Sequence, residues 1–80
     1  MMDNSTLFKL QELFQNFFQN KSIQITEETT AEDIHKWDSL THLDLINEVE
    51  IQFNITFTFE EIITMKKVGN LLDLINQKIN

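Results

Sequence analysis

Eighty residues with a net charge of −7 are expected to form a single domain over residues 1–80, with a small core that buries only about 60–65 % of the unfolded surface. The chain has no cysteine, which excludes disulfides, cysteine-ligated zinc and cysteine nucleophiles. One glycine and no proline argue against a β-sandwich or barrel, whose turns draw on both. No apolar run approaches the ~18 residues of a membrane span, and the basic start and apolar run of a secretory signal are missing, so a cytoplasmic chain is expected. The charge is uneven: residues 27–61 hold ten acids against Lys36 alone, while the flanks carry the other five lysines. Such a field repels nucleic acid and draws in basic protein surfaces.

In chain order, Asn4, Ser5 or Thr6 is placed to cap a first helix. Leu7, Leu10, Phe14 and Phe17 follow at steps of three and four, with Leu13 and Phe18 widening the stripe, which predicts a helix to Phe18 with its phenylalanines in the core. A long connection runs over 20–36. Ile23 and Ile25 alternate with polar neighbours there and predict a short extended piece against the core. Thr29 with Glu32, or Thr30 with Asp33, has the spacing of a capping box. Connections of this length are uncommon in compact domains and are often functional.

Leu40, Leu43, Ile46, Val49 and Phe53 make one apolar face of a second helix. On this reading Leu40 pins the helix start into the core. Leu45 and Ile51 lie off the stripe, either widening the buried face or offering an exposed apolar spot to a partner. Residues 53–59 alternate with period two like a strand, but no second strand is available to satisfy its backbone. An extended loop with Ile55 and its phenylalanines plugged into a helical core is expected instead. Thr58 and Glu61 form a better capping box and start a short third helix over 59–65, with Lys66 and Lys67 suited to its C-terminal dipole. Val68, Leu71, Leu72, Ile75 and Ile79 then stripe a fourth helix. Gly69 near its start costs about 1 kcal/mol against alanine and marks a close approach.

The chemistry-bearing residues gather around the second helix. Ser39, His42, Asp38 and Asp44 have the composition of a catalytic triad. However, Ser39 and His42 lie one turn apart on one helix, Asp44 points elsewhere, and no glycine elbow or oxyanion loop is present, so catalysis is not expected. His35 and His42 match no compact metal-ligand spacing and read as exposed histidines. Asp38 is suited to cap the second helix, leaving Ser39 in its first turn. There, backbone N–H groups without intrahelical partners and the positive dipole end would favour a phosphate ester. A plain helix cap accounts for the same residues.

Asp38-Ser39-Leu40 opening the segment Leu43 to Phe53 resembles acyl carrier proteins. So does the whole layout: a first amphipathic helix, a long loop, this motif, the loop through Ile55 and Phe57, a short helix at Glu60-Glu61 and a last helix from Val68. The resemblance covers nearly the whole chain. It implies an all-α four-helix bundle of acyl-carrier type, with a long loop between helices 1 and 2, a short helix 3, and a 4′-phosphopantetheine arm on Ser39 whose thiol holds an acyl group as a thioester. It implies as partners a phosphopantetheinyl transferase, an acyl-loading ligase or acyltransferase, and downstream acyl-transfer enzymes. Their contacts would fall at Asp38, Leu40, Asp44, Glu48 and Glu50, on a chain that works as a monomer and is not itself an enzyme. Thr41, Ile51 and Gln52 replace residues that are often acidic in fatty-acid carriers, and Thr58 stands where a proline is frequent. With Trp37 before the motif, this resembles stand-alone carriers of specialised pathways, such as those for surface polysaccharides or secondary metabolites. The alternatives are an aminoacyl carrier, for example for D-alanine, and an unmodified acidic helical module that only binds proteins.

Overall fold

The computed structural model describes residues 4–79. It is all-α, with four helices and no strand among the described residues: α1 over Asn4–Phe17, α2 over Ser39–Phe53, α3 over Phe59–Thr64 and α4 over Val68–Ile79. A single 3₁₀ turn over Ala31–Asp33 interrupts the long connection. Among the described residues no helix is long and apolar enough to cross a membrane.

The core runs between α1, α2 and α4. Leu10 and Phe14 of α1 meet Leu45, Ile46 and Val49 of α2 and Val68, Leu71, Leu72 and Ile75 of α4, all buried. The first helix starts earlier than its apolar stripe does. Because Asn4, Ser5 and Thr6 already lie within α1, none of them is the flanking cap, and the residues before Asn4 lie outside the described residues. Thr6 instead donates to Asn76 Oδ1 at 3.3 Å, joining the start of α1 to the end of α4.

The connection after α1 is a wall of the core. Ile23 and Ile25 are buried against the core and lie outside any helix. Two glutamines of α1 supply the missing ladder: Gln15 Nε2 donates to the Ile23 carbonyl at 2.8 Å, and Gln11 Oε1 accepts from the Ile25 N–H at 2.9 Å. Of the two candidate capping pairs, Thr30 with Asp33 forms, the Thr30 N–H donating to Asp33 Oδ2 at 2.9 Å. Thr29 is buried and accepts from the Thr26 N–H at 2.8 Å.

Gly69 marks a close approach. Its N–H donates to the Glu27 carbonyl at 2.9 Å, and a Cβ there would stand 2.9 Å from the same oxygen. Beside it, the Val68 N–H donates to the Thr29 carbonyl at 2.8 Å, and Lys67 pairs with Glu28 at 3.0 Å. The long connection is thus fastened to the start of α4.

Two expectations about the apolar faces are corrected. Leu40 and Leu43 are 78 % and 51 % exposed, whereas Leu45 is fully buried. The buried face of α2 is Leu45, Ile46 and Val49, flanked by half-buried His42 and Phe53. Leu40 therefore does not pin the helix start into the core; buried Trp37 does. Second, the loop after α2 inserts Phe57 but not Phe59, which is 71 % exposed on the first turn of α3. Asn54 ends α2 in a left-handed conformation. Thr58 and Glu61 form both halves of their box, with Thr58 N–H to Glu61 Oε1 at 2.8 Å and Glu61 N–H to Thr58 Oγ1 at 3.1 Å. Glu61 also pairs with Lys78 of α4 at 3.0 Å.

Candidate functional site

Three residues ahead of α2 build its start. Lys36 has φ of 80°, a left-handed conformation uncommon outside glycine. The turn puts Trp37 into the core and Asp38 at the surface. Trp37 packs edge-on against Phe14, with ring centroids 5.3 Å apart and planes at 87°. Asp38 Oδ1 accepts from the N–H groups of Leu40 at 3.0 Å and Thr41 at 2.9 Å. In return, Thr41 Oγ1 accepts from the Asp38 N–H and donates to the Lys36 carbonyl, each at 2.8 Å. These bonds, the Thr41 N–H foremost, hold the Asp38 carboxyl below its ordinary value of 3.8.

This cap changes the electrostatic picture of the helix start. The sequence leaves the first N–H groups open to an anion on Ser39, but Asp38 already occupies those of Leu40 and Thr41. What remains for Ser39 is presentation. It is the first residue of α2, it is exposed, and its hydroxyl has no hydrogen-bond partner among the described residues.

Ser39 lines a groove of about 510 Å³ between α2 and α3, with Trp37, His42 and Leu43 on one side and Phe59, Ile63 and Met65 on the other. His42 spans it. Trp37 Nε1 donates to His42 Nδ1 at 3.1 Å, and His42 Nε2 lies 3.1 Å from the Ile62 carbonyl. His42 is therefore half-buried and bonded, not the exposed histidine expected, while His35 is exposed. With both ring nitrogens engaged, His42 is no base for Ser39, and no triad is assembled. Among the described residues no group of three histidines or acids is placed to hold a metal ion.

The acids separate into different surroundings. Asp38 and Asp44 are exposed on or beside the first turns of α2. Glu48 is half-buried and lines another groove, of about 590 Å³, between α1 and α2 with Lys9, Phe17 and Phe53. Glu50 turns to the loop, where its Oε2 accepts from the Phe57 N–H at 2.8 Å. Leu40 and Leu43 stand exposed near Ser39 on α2, and Phe59 and Ile63 stand exposed on α3. The sequence reading missed the Trp37–His42–Ile62 bridge. Its one legible signal was that His42 falls in phase with Ile46, Val49 and Phe53.

No family model matches the chain, and no curated protein matches it. Among solved structures it is similar to the solution structure of a holo acyl carrier protein from Geobacter metallireducens. The two share 42 % identity over 92 % of this chain and 85 % of that one, with a TM-score of 0.86. It is also similar to the crystal structure of an acyl carrier protein from Thermotoga maritima, with 25 % identity over 99 % of this chain and 92 % of that one and a TM-score of 0.83.

Proposed function

The chain belongs to the acyl carrier protein family, and from that premise we propose that Ser39 carries a 4′-phosphopantetheine arm and that the whole chain serves as one carrier domain. The observation that carries this reading is the presentation of Ser39: an exposed, unbonded hydroxyl on the first residue of α2, beside a mostly apolar groove. The residues present fit the group. Ser39 would hold it through its Oγ, and Lys66 and Asp38 border the same groove. When bound, the arm supplies the thiol on which an acyl group rides as a thioester, in a chain with no cysteine of its own.

The chain's residues keep that serine in place and offer a surface around it. Asp38 and Thr41 fix the first turn of α2, and buried Trp37 anchors the segment before it. Asp38 and Asp44 give the neighbourhood of Ser39 its negative charge, suited to basic faces of a phosphopantetheinyl transferase, a loading ligase or acyltransferase, and downstream acyl-transfer enzymes. Exposed Leu40 and Leu43 supply apolar contact. Glu50 also accepts from the Phe57 N–H, and Glu48 lines a different groove, so both would join this surface from farther along α2. Thr41 is a structural partner of Asp38 where fatty-acid carriers usually have an acid, which supports a specialised pathway for this cytoplasmic, monomeric carrier.

Intact mass after incubation with coenzyme A and a promiscuous phosphopantetheinyl transferase tests the reading. The expected result is the gain of one phosphopantetheine by the folded chain and no gain by Ser39→Ala. Absence of any gain in a folded sample would overturn it and leave an unmodified protein-binding module.

A further inference from the structure

Trp37 Nε1 carries a hydrogen and can only donate. Its bond to His42 Nδ1 at 3.1 Å therefore makes Nδ1 the acceptor, and a neutral imidazole with a bare Nδ1 carries its proton on Nε2. Nε2 lies 3.1 Å from the Ile62 carbonyl, which can only accept. One tautomer satisfies both contacts. The other sets two N–H groups against each other at one end and two lone pairs at the other. The two rings lie close together, with centroids 5.9 Å apart and planes within 22° of each other.

The geometry points to His42 as a positioning residue: its neutral, Nε2-protonated form ties Trp37, two residues before Ser39, to α3, holds the groove beside Ser39 in one shape, and lets go when the ring takes a second proton. A doubly protonated ring donates at both nitrogens. Nε2–H keeps the Ile62 carbonyl, but Nδ1–H then confronts the Trp37 N–H, so the break falls at Trp37. α3 has few other fastenings. It buries no residue fully, Ile62 packs against the core, and Glu61 pairs with Lys78. The charged neighbours are few. Asp38 and Lys66 line the groove with His42. On α3, Glu60 is exposed and Glu61 is bonded to Thr58 and Lys78. In the 3₁₀ turn Glu32 is exposed and Asp33 is bonded to Thr30, and His35 is exposed in the segment that follows. The ring facing Trp37 from α1 is the uncharged Phe14.

The effect on Ser39 rests on the carrier reading; the bridge does not, so its test uses the unmodified full chain. Long-range proton–nitrogen spectra at pH 8 should show His42 protonated at Nε2 alone, and an Nδ1-protonated ring there would overturn the inference. On lowering the pH from about 8 to 5, the span over which imidazoles change charge, the Trp37 indole N–H resonance and the Ile62 and Ile63 amides should shift along one curve. His42→Gln offers Trp37 an acceptor and Ile62 a donor without titrating. It should keep the indole resonance of pH 8 throughout, while His35→Gln should shift as the parent does. A parent chain without the transition, or a transition that persists in His42→Gln, would overturn the inference. With the transferase at pH 8, His42→Gln should gain the arm at the parent rate and His42→Leu severalfold more slowly; equal rates for both variants would remove the positioning role. A parent chain that gains no mass sinks the carrier reading instead and leaves the spectra to decide the bridge.

Discussion

At the scale of single residues, Asp38 concentrates more of the site than Ser39 does. Its carboxylate holds two N–H groups of α2, and those bonds lower its pKa from 3.8. A carboxyl whose folded pKa lies below its unfolded one contributes stability above the unfolded value and loses it as the pH falls through the folded one. Glu61 acts with the same sign, lowered from 4.5 chiefly by the Thr58 N–H and then by Lys78. Acid unfolding followed by circular dichroism from pH 5 to 2 should therefore show stability falling below pH ~4. Asp38→Asn keeps an acceptor oxygen at the cap and should melt near the parent at pH 7 while losing less on acidification. Asp38→Ala gives up the cap and should lower Tm at pH 7 by roughly 5 °C. The role of Asp38 was legible in the sequence, because an acid two residues before a leucine-rich helical stripe has few other uses. The role of His42 was not. Its bond to Trp37 spans five residues and depends on the turn at Lys36, whose positive φ no residue type announces.

At the scale of elements, the lesson lies in the phase of α2. Apolar residues surround much of this helix, so the steps Leu40, Leu43, Ile46 and the steps Leu45, Ile46, Val49 fit the helical period equally well. Only packing against α1 and α4 chooses between them. The choice is measurable: Leu45→Ala, at a fully buried position, should cost about 2–5 kcal/mol in urea unfolding, and Leu43→Ala within about 0.5 kcal/mol. The stripes of α1 and α4 are cleaner, and their helices were legible almost to their ends. The thin polar ties of the long connection were not, since Gln11 and Gln15 look like any solvent face until they meet Ile25 and Ile23. Gly69 was legible as a close approach without its partner. Gly69→Ala gains about 1 kcal/mol of helix propensity but drives a methyl group into the Glu27 carbonyl. A net loss of about 1 kcal/mol is expected, read as a lower urea midpoint at unchanged slope.

At the scale of the whole molecule, Asp38 and the exposed apolar residues Leu43, Phe59 and Ile63 line the groove between α2 and α3 together with Ser39, and Asp44 adds negative charge on the exposed side of α2. Association steered by such charge speeds encounters and fades with salt. Asp44→Lys should slow arm attachment on the order of tenfold at low salt, with the difference closing as sodium chloride is raised. Glu48→Lys, facing another groove, should slow it less; equal slowing by both would place recognition on net charge alone. The fastening of the connection to α4 has a consequence in exchange rates. The first amides of a helix have no intrahelical acceptors and ordinarily trade hydrogen with solvent quickly, but those of Val68 and Gly69 find the carbonyls of Thr29 and Glu27. In deuterium these two amides should stay protected alongside the core of α4, and they should be released together with the Ile23–Thr30 segment, as one cooperative unit.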